Sequence, residues 1–328
     1  MMEVWDMYGA FIGDIVGSKY EFNNIKTKDF PLFSQGCDYT DDTIMTAAVA
    51  KALLLSRKEQ FDKNGNGKGF QELLIETMQE FGRKYPHPMG AYGSRFAQWL
   101  RLEYPKPYGS YGNGSAMRVS PCGLIAVTLE EALALARASA GITHNHPEGF
   151  KGAEAVAAAV YMAKAGKSKA DIRQYITEKY YSLDFTLDSI RETYRFDGSC
   201  QGSVPQAIEA FLESVSFEDA IRGIVSIGGD CDTTGAITGS IAWAYYMSKN
   251  GGWVEERLTP DMQMMKDAAC GYLLEEFIQI AAEFHEACWR RGGTFFRSGC
   301  CTPILNQSET ETFFGLLNTD SRQTAVER

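Results

Sequence analysis

The stretch SIGGDCDTTGAITGSIAWAYY, residues 226–246, decides how this chain is interpreted. Its second half carries small residues, among them Gly235 and Gly239, at spacings that predict a buried helix in close contact with another helix. Its first half places Asp230 and Asp232 among glycine, threonine and apolar residues, with no Lys or Arg in the whole stretch. Because a buried carboxylate without a partner is costly or becomes protonated, the folded protein has to neutralise both aspartates.

Helical periodicity extends outward from this stretch over most of the chain. Apolar residues recur at three- and four-residue spacing, and the alternation typical of a strand is almost absent. The predicted helical segments cover residues 43–56, 70–85, 129–142, 150–166, 216–227 and 265–291. We therefore expect a single compact, multi-helical all-α domain over residues 1–300, without internal repeats. The polar and weakly patterned residues 301–328 are expected to form a tail of unknown role.

Composition and charge narrow the class of protein. The chain has 328 residues, and 32 basic against 42 acidic residues give it a net charge of −10. Because it also lacks a basic run, nucleic acid is not expected as a partner. The N-terminus lacks a basic start followed by an apolar run, and no apolar stretch reaches the roughly 18 residues that a membrane helix needs. We expect a cytoplasmic protein without a membrane partner, whose eight scattered cysteines are reduced thiols.

Four short regions interrupt the helical pattern with acidic, glycine and hydroxyl residues. They are GAFIGDIVGSKYEF (9–22), YTDDT (39–43), YGSYGNGSAMRVSPCGL (108–124) leading into GITHNHPEGFKGAEA (141–155), and GGDCDTTG (228–235). Each has an ordinary structural interpretation, because Thr40 and the Asp230–Thr234 segment could simply start helices, and His144 could be a core or surface histidine. The glycine-rich segment 63–69 does not fit a phosphate-binding GxxxxGK[ST] motif and is interpreted as a solvated linker.

Two of these regions together favour a divalent metal site. The chain has no CxxC pair to accompany its four histidines, so any metal would be held by oxygen ligands. Asp230 and Asp232 alternate with Cys231 in a segment expected to be unwound, so both carboxylates can point to the same side. Thr40 and Thr233 can add hydroxyl oxygens. Two Mg²⁺ ions would balance the four aspartates of the two clusters, which answers the charge problem of residues 226–246.

The chain closely resembles the ADP-ribosylglycohydrolase family in five motifs that occur in the same order over about residues 9–250. These motifs are GDIVGSKYE, YTDDT, GSYGNGSAMR, THNHPEG and GGDCDTTGAITGSI. The family includes dinitrogenase reductase-activating glycohydrolases and ADP-ribosyl-acceptor hydrolases. The resemblance implies an all-α domain with two Mg²⁺ ions, or Mn²⁺ in some members, at the base of a cleft. It further implies an enzyme that hydrolyses the bond at the ribose anomeric carbon of ADP-ribosylated substrates, including ADP-ribosylated proteins.

The resemblance also assigns roles to individual residues. The metal-binding residues are Thr40, Asp41, Asp42, Asp230, Asp232 and Thr233. Catalytic roles fall to Glu21, Asp41, Asp42 and Asp232, and Glu21 matches an acidic residue of the branch that cleaves serine-linked ADP-ribose and poly(ADP-ribose). The loop that cradles ADP-ribose is formed by Gly109, Ser110, Tyr111, Gly112, Asn113 and Gly114, with Tyr111 offering a face for adenine. His144 matches a histidine near the substrate diphosphate.

Two other functions remain open at this stage. A non-catalytic relative would keep the fold as a structural or ADP-ribose-binding module, as in a lens crystallin that shares the resemblance, but it would be expected to lose metal ligands, and all six are present. A metal-dependent nucleotide phosphohydrolase could use carboxylate-bound Mg²⁺ equally well. The sequence also leaves open the linkage, which could be to arginine, serine, another ADP-ribose, a nucleic-acid base or an acyl group.

Overall fold

The part of the chain that the structure describes is built from helices and contains no strand. This structure is a computed structural model, and it describes residues 7–60, 68–249 and 258–295. In chain order the helices are α1 (Tyr8–Ser18), α2 (Asp41–Gln60), α3 (Phe70–Lys84), α4 (Ser94–Trp99), α5 (Gly114–Met117), α6 (Ser120–Ile125), α7 (Leu129–Gly141), α8 (Pro147–Lys164), α9 (Lys169–Lys179), α10 (Leu187–Ile190), α11 (Cys200–Glu213), α12 (Phe217–Val225), α13 (Cys231–Lys249), α14 (Pro260–Cys270) and α15 (Glu275–Phe295). The predicted all-α fold class is confirmed.

Two antiparallel helices in backbone contact, α1 and α13, form the centre of the fold. A methyl group added to Gly13 would lie 1.9 Å from the carbonyl oxygen of Gly235, and one added to Gly9 would lie 2.3 Å from that of Gly239. Only glycine allows this approach, since real Cβ atoms essentially never come within 3.0 Å of another heavy atom. The prediction of a buried helix with close helix contacts after Thr233 is therefore confirmed.

The other helices surround this pair and complete the core. Helices α8, α11 and α12 pack against α13, while α2 packs against α3 and α15. Next to the central pair, the rings of Phe217 and Trp243 meet edge to face with their centroids 5.1 Å apart. This arrangement brings the N-terminal ends of α2 and α13 next to the C-terminal half of α1.

The predicted helices are confirmed with shifts of a few residues at their ends, apart from one. Residues 265–291 were predicted as a single helix, but the structure divides them between α14 and α15. Gly271 follows the last residue of α14, and the carbonyl oxygen of Leu274 accepts hydrogen bonds from the amides of Phe277 and Ile278 at the start of α15. The apolar spacing does not reveal this break, because α14 and α15 both bury one face against the core.

Some predictions fall on residues that the structure does not describe, and others concern membrane spanning and the cysteines. Residues 301–328 and most of the glycine-rich segment 63–69 lie outside the described ranges. Within those ranges, no helix combines the length and apolar character needed to cross a bilayer. The six described cysteines are free thiols.

Candidate metal and substrate site

Three carboxylates from two distant segments converge at the centre of the molecule. Glu21, Asp230 and Asp232 each offer an oxygen atom, and these atoms all lie within 4.8 Å of one another. Glu21 follows the end of α1, while Asp230 and Asp232 lie at the start of α13. Helix α13 begins at Cys231, so the segment is not unwound as predicted and Asp232 belongs to the first helical turn. The two aspartates nevertheless point to the same side.

The N-terminal end of α2 adds Asp41 and Asp42 to this cluster. A carboxylate from α1 caps α2, because Asp14 Oδ2 accepts hydrogen bonds from the amides of Thr40 and Thr43, both at 3.0 Å. The hydroxyl of Thr40 donates to the other oxygen of Asp14 at 2.8 Å. Asp14 is fully buried and thereby fixes where α2 starts.

Hydroxyl and amide groups connect the two acidic clusters. The hydroxyl of Thr233 donates to Asp42 Oδ2 at 3.3 Å, and Thr40 Oγ1 lies 3.4 Å from the same oxygen. Asn113 of the glycine-rich loop donates from Nδ2 to Asp230 Oδ2 at 2.7 Å. All the residues predicted as metal ligands are therefore brought together by α1, α2 and α13.

The pKa values of these carboxyl groups are raised. Burial, followed by the negative charges of Asp232 and Asp14, raises the pKa of Glu21 to about 8. Burial raises the pKa of Asp14 and of Asp230 to about 6. Burial and the neighbouring carboxylates raise the pKa of the remaining three groups well above the usual value, in Asp41, Asp42 and Asp232. Among the ion pairs of the described residues, none involves any of these groups.

Two buried carboxylate oxygens without hydrogen-bond partners indicate whether this cluster could hold a metal ion. Asp42 Oδ1 and Asp232 Oδ1 are buried, and neither has a hydrogen-bond partner within the described residues. Buried acceptors of this kind need an explanation, which a bound cation would supply. The donor set consists of carboxylate and hydroxyl oxygens, which hard cations such as Mg²⁺ and Mn²⁺ prefer. The residues present therefore fit a divalent cation.

A cavity of about 420 Å³ opens above the acidic cluster. That volume is within the range of small-molecule sites. Glu21, Asp41, Asp42, Asp230, Asp232 and Thr233 line one part of it, and Ser110, Gly112, Asn113, Gly114, Arg118 and His144 line another. Its aromatic lining, which the sequence analysis missed, consists of Tyr92, Phe96, Tyr108 and Phe196. Tyr108 begins the quoted region 108–124 but received no prediction of its own, and the other three side chains sit in segments whose composition resembles ordinary core or loop sequence.

Two residues of the predicted ADP-ribose loop are not among those lining the cavity. Tyr111 is 51% exposed, and its ring meets that of His146 with centroids 5.4 Å apart. Gly109 has a positive φ of 66° and donates its amide to Asn145 Oδ1 at 2.7 Å. Adenine binding by Tyr111 stays a prediction, and the ring lies on the outer side of its loop.

The glycine-rich loop is held in place by two neighbouring segments. The amide of Asn113 donates to the carbonyl of Gly198 at 2.8 Å, and the amide of Cys200 donates to the carbonyl of Tyr111 at 2.9 Å. A methyl group added to Gly114 would lie 3.2 Å from Nε2 of His144. The loop backbone therefore lies directly against the imidazole, and a side chain at Gly114 would require a shift of a few tenths of an ångström.

His144 is buried at the wall of the cavity. Its Nδ1 lies 2.7 Å from Thr143 Oγ1, which also accepts a hydrogen bond from Arg118 Nη2 at 2.8 Å. Burial, and then the positive charges of Arg118 and Arg95, lower the pKa of His144 well below its usual value. The imidazole is therefore neutral, and its cationic neighbours favour an anion in the adjoining part of the cavity.

The fold and the acidic cavity define an all-α protein with a candidate divalent-cation site. The family model described as ADP-ribosylglycohydrolase matches residues 7–290. The chain therefore belongs to the ADP-ribosylglycohydrolase family of glycosidic hydrolases.

Individual proteins are also similar to this chain. The ADP-ribosylhydrolase ARH3 of Homo sapiens is 27% identical, and the match covers 73% of this chain and 83% of the human protein. The ADP-ribosylhydrolase ARH3 of Gallus gallus is 25% identical, with 85% of this chain and 91% of that protein covered. A solved structure titled "ADP-ribosylglycohydrolase-related protein complex" is similar in fold, with a TM-score of 0.56, 22% identity, and 84% of this chain and 96% of that chain covered.

Proposed function

We propose that this protein hydrolyses the bond at the ribose anomeric carbon of ADP-ribosylated substrates, using two Mg²⁺ ions held by its acidic cluster, or Mn²⁺ in their place. One observation carries the proposal. Glu21, Asp230 and Asp232 converge within 4.8 Å at a cavity that is also lined by the glycine-rich loop and His144. The residues proposed to bind the metal ions and those proposed to bind the diphosphate thus face one space.

The residues proposed to hold the metal ions are Thr40, Asp41, Asp42, Asp230, Asp232 and Thr233. When bound, the two cations would balance these carboxylates, orient ribose hydroxyls and polarise a water molecule. Cleavage of a glycosidic bond passes through an oxocarbenium-like state at the anomeric carbon, and a carboxylate next to that carbon favours it. Asp41, Asp42 and Asp232 are proposed to contribute to catalysis by holding the cations in place there.

Glu21 is proposed as the residue that orients the attacking water and takes its proton. Its side chain is half-buried and lines the cavity beside Asp230 and Asp232. In the absence of cations its pKa of about 8 keeps the group largely protonated at neutral pH. Positive charge nearby would lower that pKa and convert Glu21 into a proton acceptor.

The glycine-rich loop and His144 are proposed to bind the ADP-ribose half of the substrate. Ser110, Gly112, Asn113 and Gly114 bring backbone and small polar groups to the cavity wall. Backbone amides of such a loop can approach a diphosphate closely. The resemblance of this loop and of Glu21 to the branch that cleaves serine-linked ADP-ribose and poly(ADP-ribose) favours those two linkages.

A panel of substrates tests the proposal. The purified protein would be incubated with arginine-linked, serine-linked and O-acyl ADP-ribose, poly(ADP-ribose) and an ADP-ribosylated nucleic acid, with Mg²⁺ or with EDTA. We expect release of ADP-ribose from serine-linked substrate or poly(ADP-ribose), and no turnover after exhaustive EDTA treatment. Inorganic phosphate released from nucleotides in a parallel assay, without release of ADP-ribose from any substrate, would contradict the proposal and support a phosphohydrolase.

Substitution of the aspartates proposed to bind metal tests that role. Asp41→Asn and Asp232→Asn each remove an anionic ligand with little change in shape, so both should weaken Mn²⁺ binding measured by calorimetry while the helical circular dichroism is kept. Glu103→Gln, on the exposed surface, is the matched control and should bind Mn²⁺ like the parent. Unchanged affinity in both aspartate variants would show that these residues only cap helices.

A further inference from the structure

Three side chains form a chain of hydrogen bonds that ends at the cavity wall. Arg118 and Thr143 are buried, and Arg118 Nη2 donates to Thr143 Oγ1 at 2.8 Å. Thr143 Oγ1 lies 2.7 Å from His144 Nδ1. His144 and Arg118 both line the cavity.

The donors and acceptors in this chain determine where the proton of His144 lies. A guanidinium only donates, so Thr143 Oγ1 accepts from Arg118 and keeps its own hydroxyl proton. In the described part of the chain, the other partner of Thr143 Oγ1 is His144 Nδ1. That nitrogen must accept for the hydroxyl proton to be satisfied, because a buried donor without an acceptor is costly. The proton of a neutral His144 then resides on Nε2.

The Nε2 atom lies beside the glycine-rich loop. It is 3.2 Å from the position a Cβ would occupy on Gly114, and 3.7 Å from the corresponding position on Gly112. A donor at this place is presented to a ligand that lies along the loop. Either an anionic or a neutral oxygen could accept from it, but the surrounding charge favours an anion.

We propose that Arg118 and Thr143 are positioning residues that hold His144 as the neutral Nε2–H tautomer, so that His144 donates a hydrogen bond to a diphosphate oxygen of ADP-ribose. This inference rests on the proposed function for the identity of the ligand. It goes beyond that function by assigning the proton on His144 and the residues that set it. In this assignment Arg118 acts on His144 through Thr143.

The charges around His144 are consistent with this assignment. Arg118 has no carboxylate partner among the ion pairs of the described residues, and Arg95 adds a second positive charge near the imidazole. Together with burial, these two cations lower the pKa of His144 well below its usual value. Tyr108, whose ring centroid lies 6.0 Å from that of His144, has a pKa raised by burial and stays neutral. A single proton on His144 is thus favoured at neutral pH.

Nitrogen NMR of the free protein tests the tautomer directly. The chain has four histidines, so selective ¹⁵N-histidine labelling gives few signals, and a His144→Gln variant identifies those of His144. We expect a protonated Nε2 and an unprotonated Nδ1 at pH 7.5. A proton on Nδ1, or a doubly protonated ring, would overturn the proposal without any reference to substrate.

Variants of Thr143 test the role of the hydroxyl. Thr143→Val keeps the branched shape but removes the hydroxyl, and we expect it to change the tautomer signals and to weaken ADP-ribose binding by about tenfold to a hundredfold. Thr143→Ser should restore both. Thr77→Val removes another buried hydroxyl, which donates to Leu73 O on α3, and should leave ADP-ribose affinity unchanged.

Two results with these variants would contradict the assignment. One is an identical tautomer pattern in the parent and in folded Thr143→Val. The other is an unchanged ADP-ribose affinity in that variant. Should Thr143→Val fail to fold, the NMR result on the parent and the Thr143→Ser variant still decides the tautomer. Failure of the proposed function would give a different result. The parent protein would release no ADP-ribose from any substrate, while the NMR signals of His144 would still show the expected tautomer.

Discussion

At the scale of single residues, Glu21 connects the acidic cluster to the proposed chemistry. It is the one member of the converging trio that does not belong to the start of α13, and it reaches the cluster from the segment after α1. A methyl group added to Gly90 would lie 3.1 Å from Glu21 Oε2, so the loop opposite also approaches this carboxylate closely. Its position, at the cavity and beside Asp230 and Asp232, agrees with the proposed role in orienting water.

Glu21→Gln is therefore expected to lower kcat much more than it lowers ADP-ribose affinity. The amide keeps the size of the side chain but cannot take up a proton, and general-base assistance typically contributes about 10²–10⁴ in rate. Steady-state kinetics with the best substrate, together with calorimetric titration of ADP-ribose, separate the two effects. Glu103→Gln serves as the exposed control. A Glu21→Gln enzyme that turns over at the parent rate would remove Glu21 from the mechanism.

The sequence predicted the acidic residues of the site better than its other parts. Asp41, Asp42, Asp230 and Asp232 stood out because charged groups without basic neighbours are unusual in apolar and glycine-rich sequence. Arg118 was missed as a site residue although it ends the quoted motif GSYGNGSAMR, because a lone arginine at the end of a glycine-rich loop resembles a surface residue. Only the fold shows that it is buried.

At the scale of elements, contact between α1 and α13 sets the geometry of the site. Gly13 lies against Gly235, and the next residue of α1, Asp14, caps α2 through Thr40 and Thr43. Any displacement of α1 from α13 would therefore also move the start of α2, with Asp41 and Asp42. The small residues after Thr233 predicted a close helix contact, but the identity of the partner helix depended on a non-local pairing that helical spacing does not encode.

Gly13→Ala should destabilise the protein and disturb the site together. The added methyl group would meet the Gly235 carbonyl at 1.9 Å, so the helices would have to separate. Overpacking of this kind usually costs 1–3 kcal/mol, and we expect about 3 kcal/mol or more here because the obstacle is backbone. Urea unfolding measures the loss, and calorimetric Mn²⁺ binding measures the disturbance of the site.

Gly141→Ala is the matched control for this change. It places the same methyl group on a helical glycine whose nearest atom is Nε2 of Gln71, at 3.3 Å, a side-chain atom rather than backbone. Its free energy of unfolding should stay near that of the parent, because the helix preference for alanine offsets a small rearrangement. Equal stability of the Gly13→Ala and Gly141→Ala proteins would contradict the described contact between α1 and α13.

At the scale of the whole molecule, charge and stability are coupled through the site. The chain carries a net charge of −10, and several of its acidic groups lie together at the centre of the fold, where burial and mutual repulsion raise their pKa values. Cations that bind only the folded state would stabilise it by mass action. The same repulsion in the metal-free protein makes the centre of the fold a source of instability at neutral pH.

Mg²⁺ should accordingly raise the melting temperature of the protein. A free concentration 100 times the dissociation constant stabilises the folded state by about 2.7 kcal/mol for each site, which corresponds to a shift of several degrees in a domain of this size. Differential scanning fluorimetry in EDTA and in saturating Mg²⁺ measures the shift, and NaCl at matched ionic strength separates specific binding from screening. Glu103→Gln should keep the shift, while Asp232→Asn should lose most of it because one buried anionic ligand is gone. Equal melting temperatures in EDTA and Mg²⁺, or an equal rise with NaCl, would show that the converging carboxylates hold no specific cation.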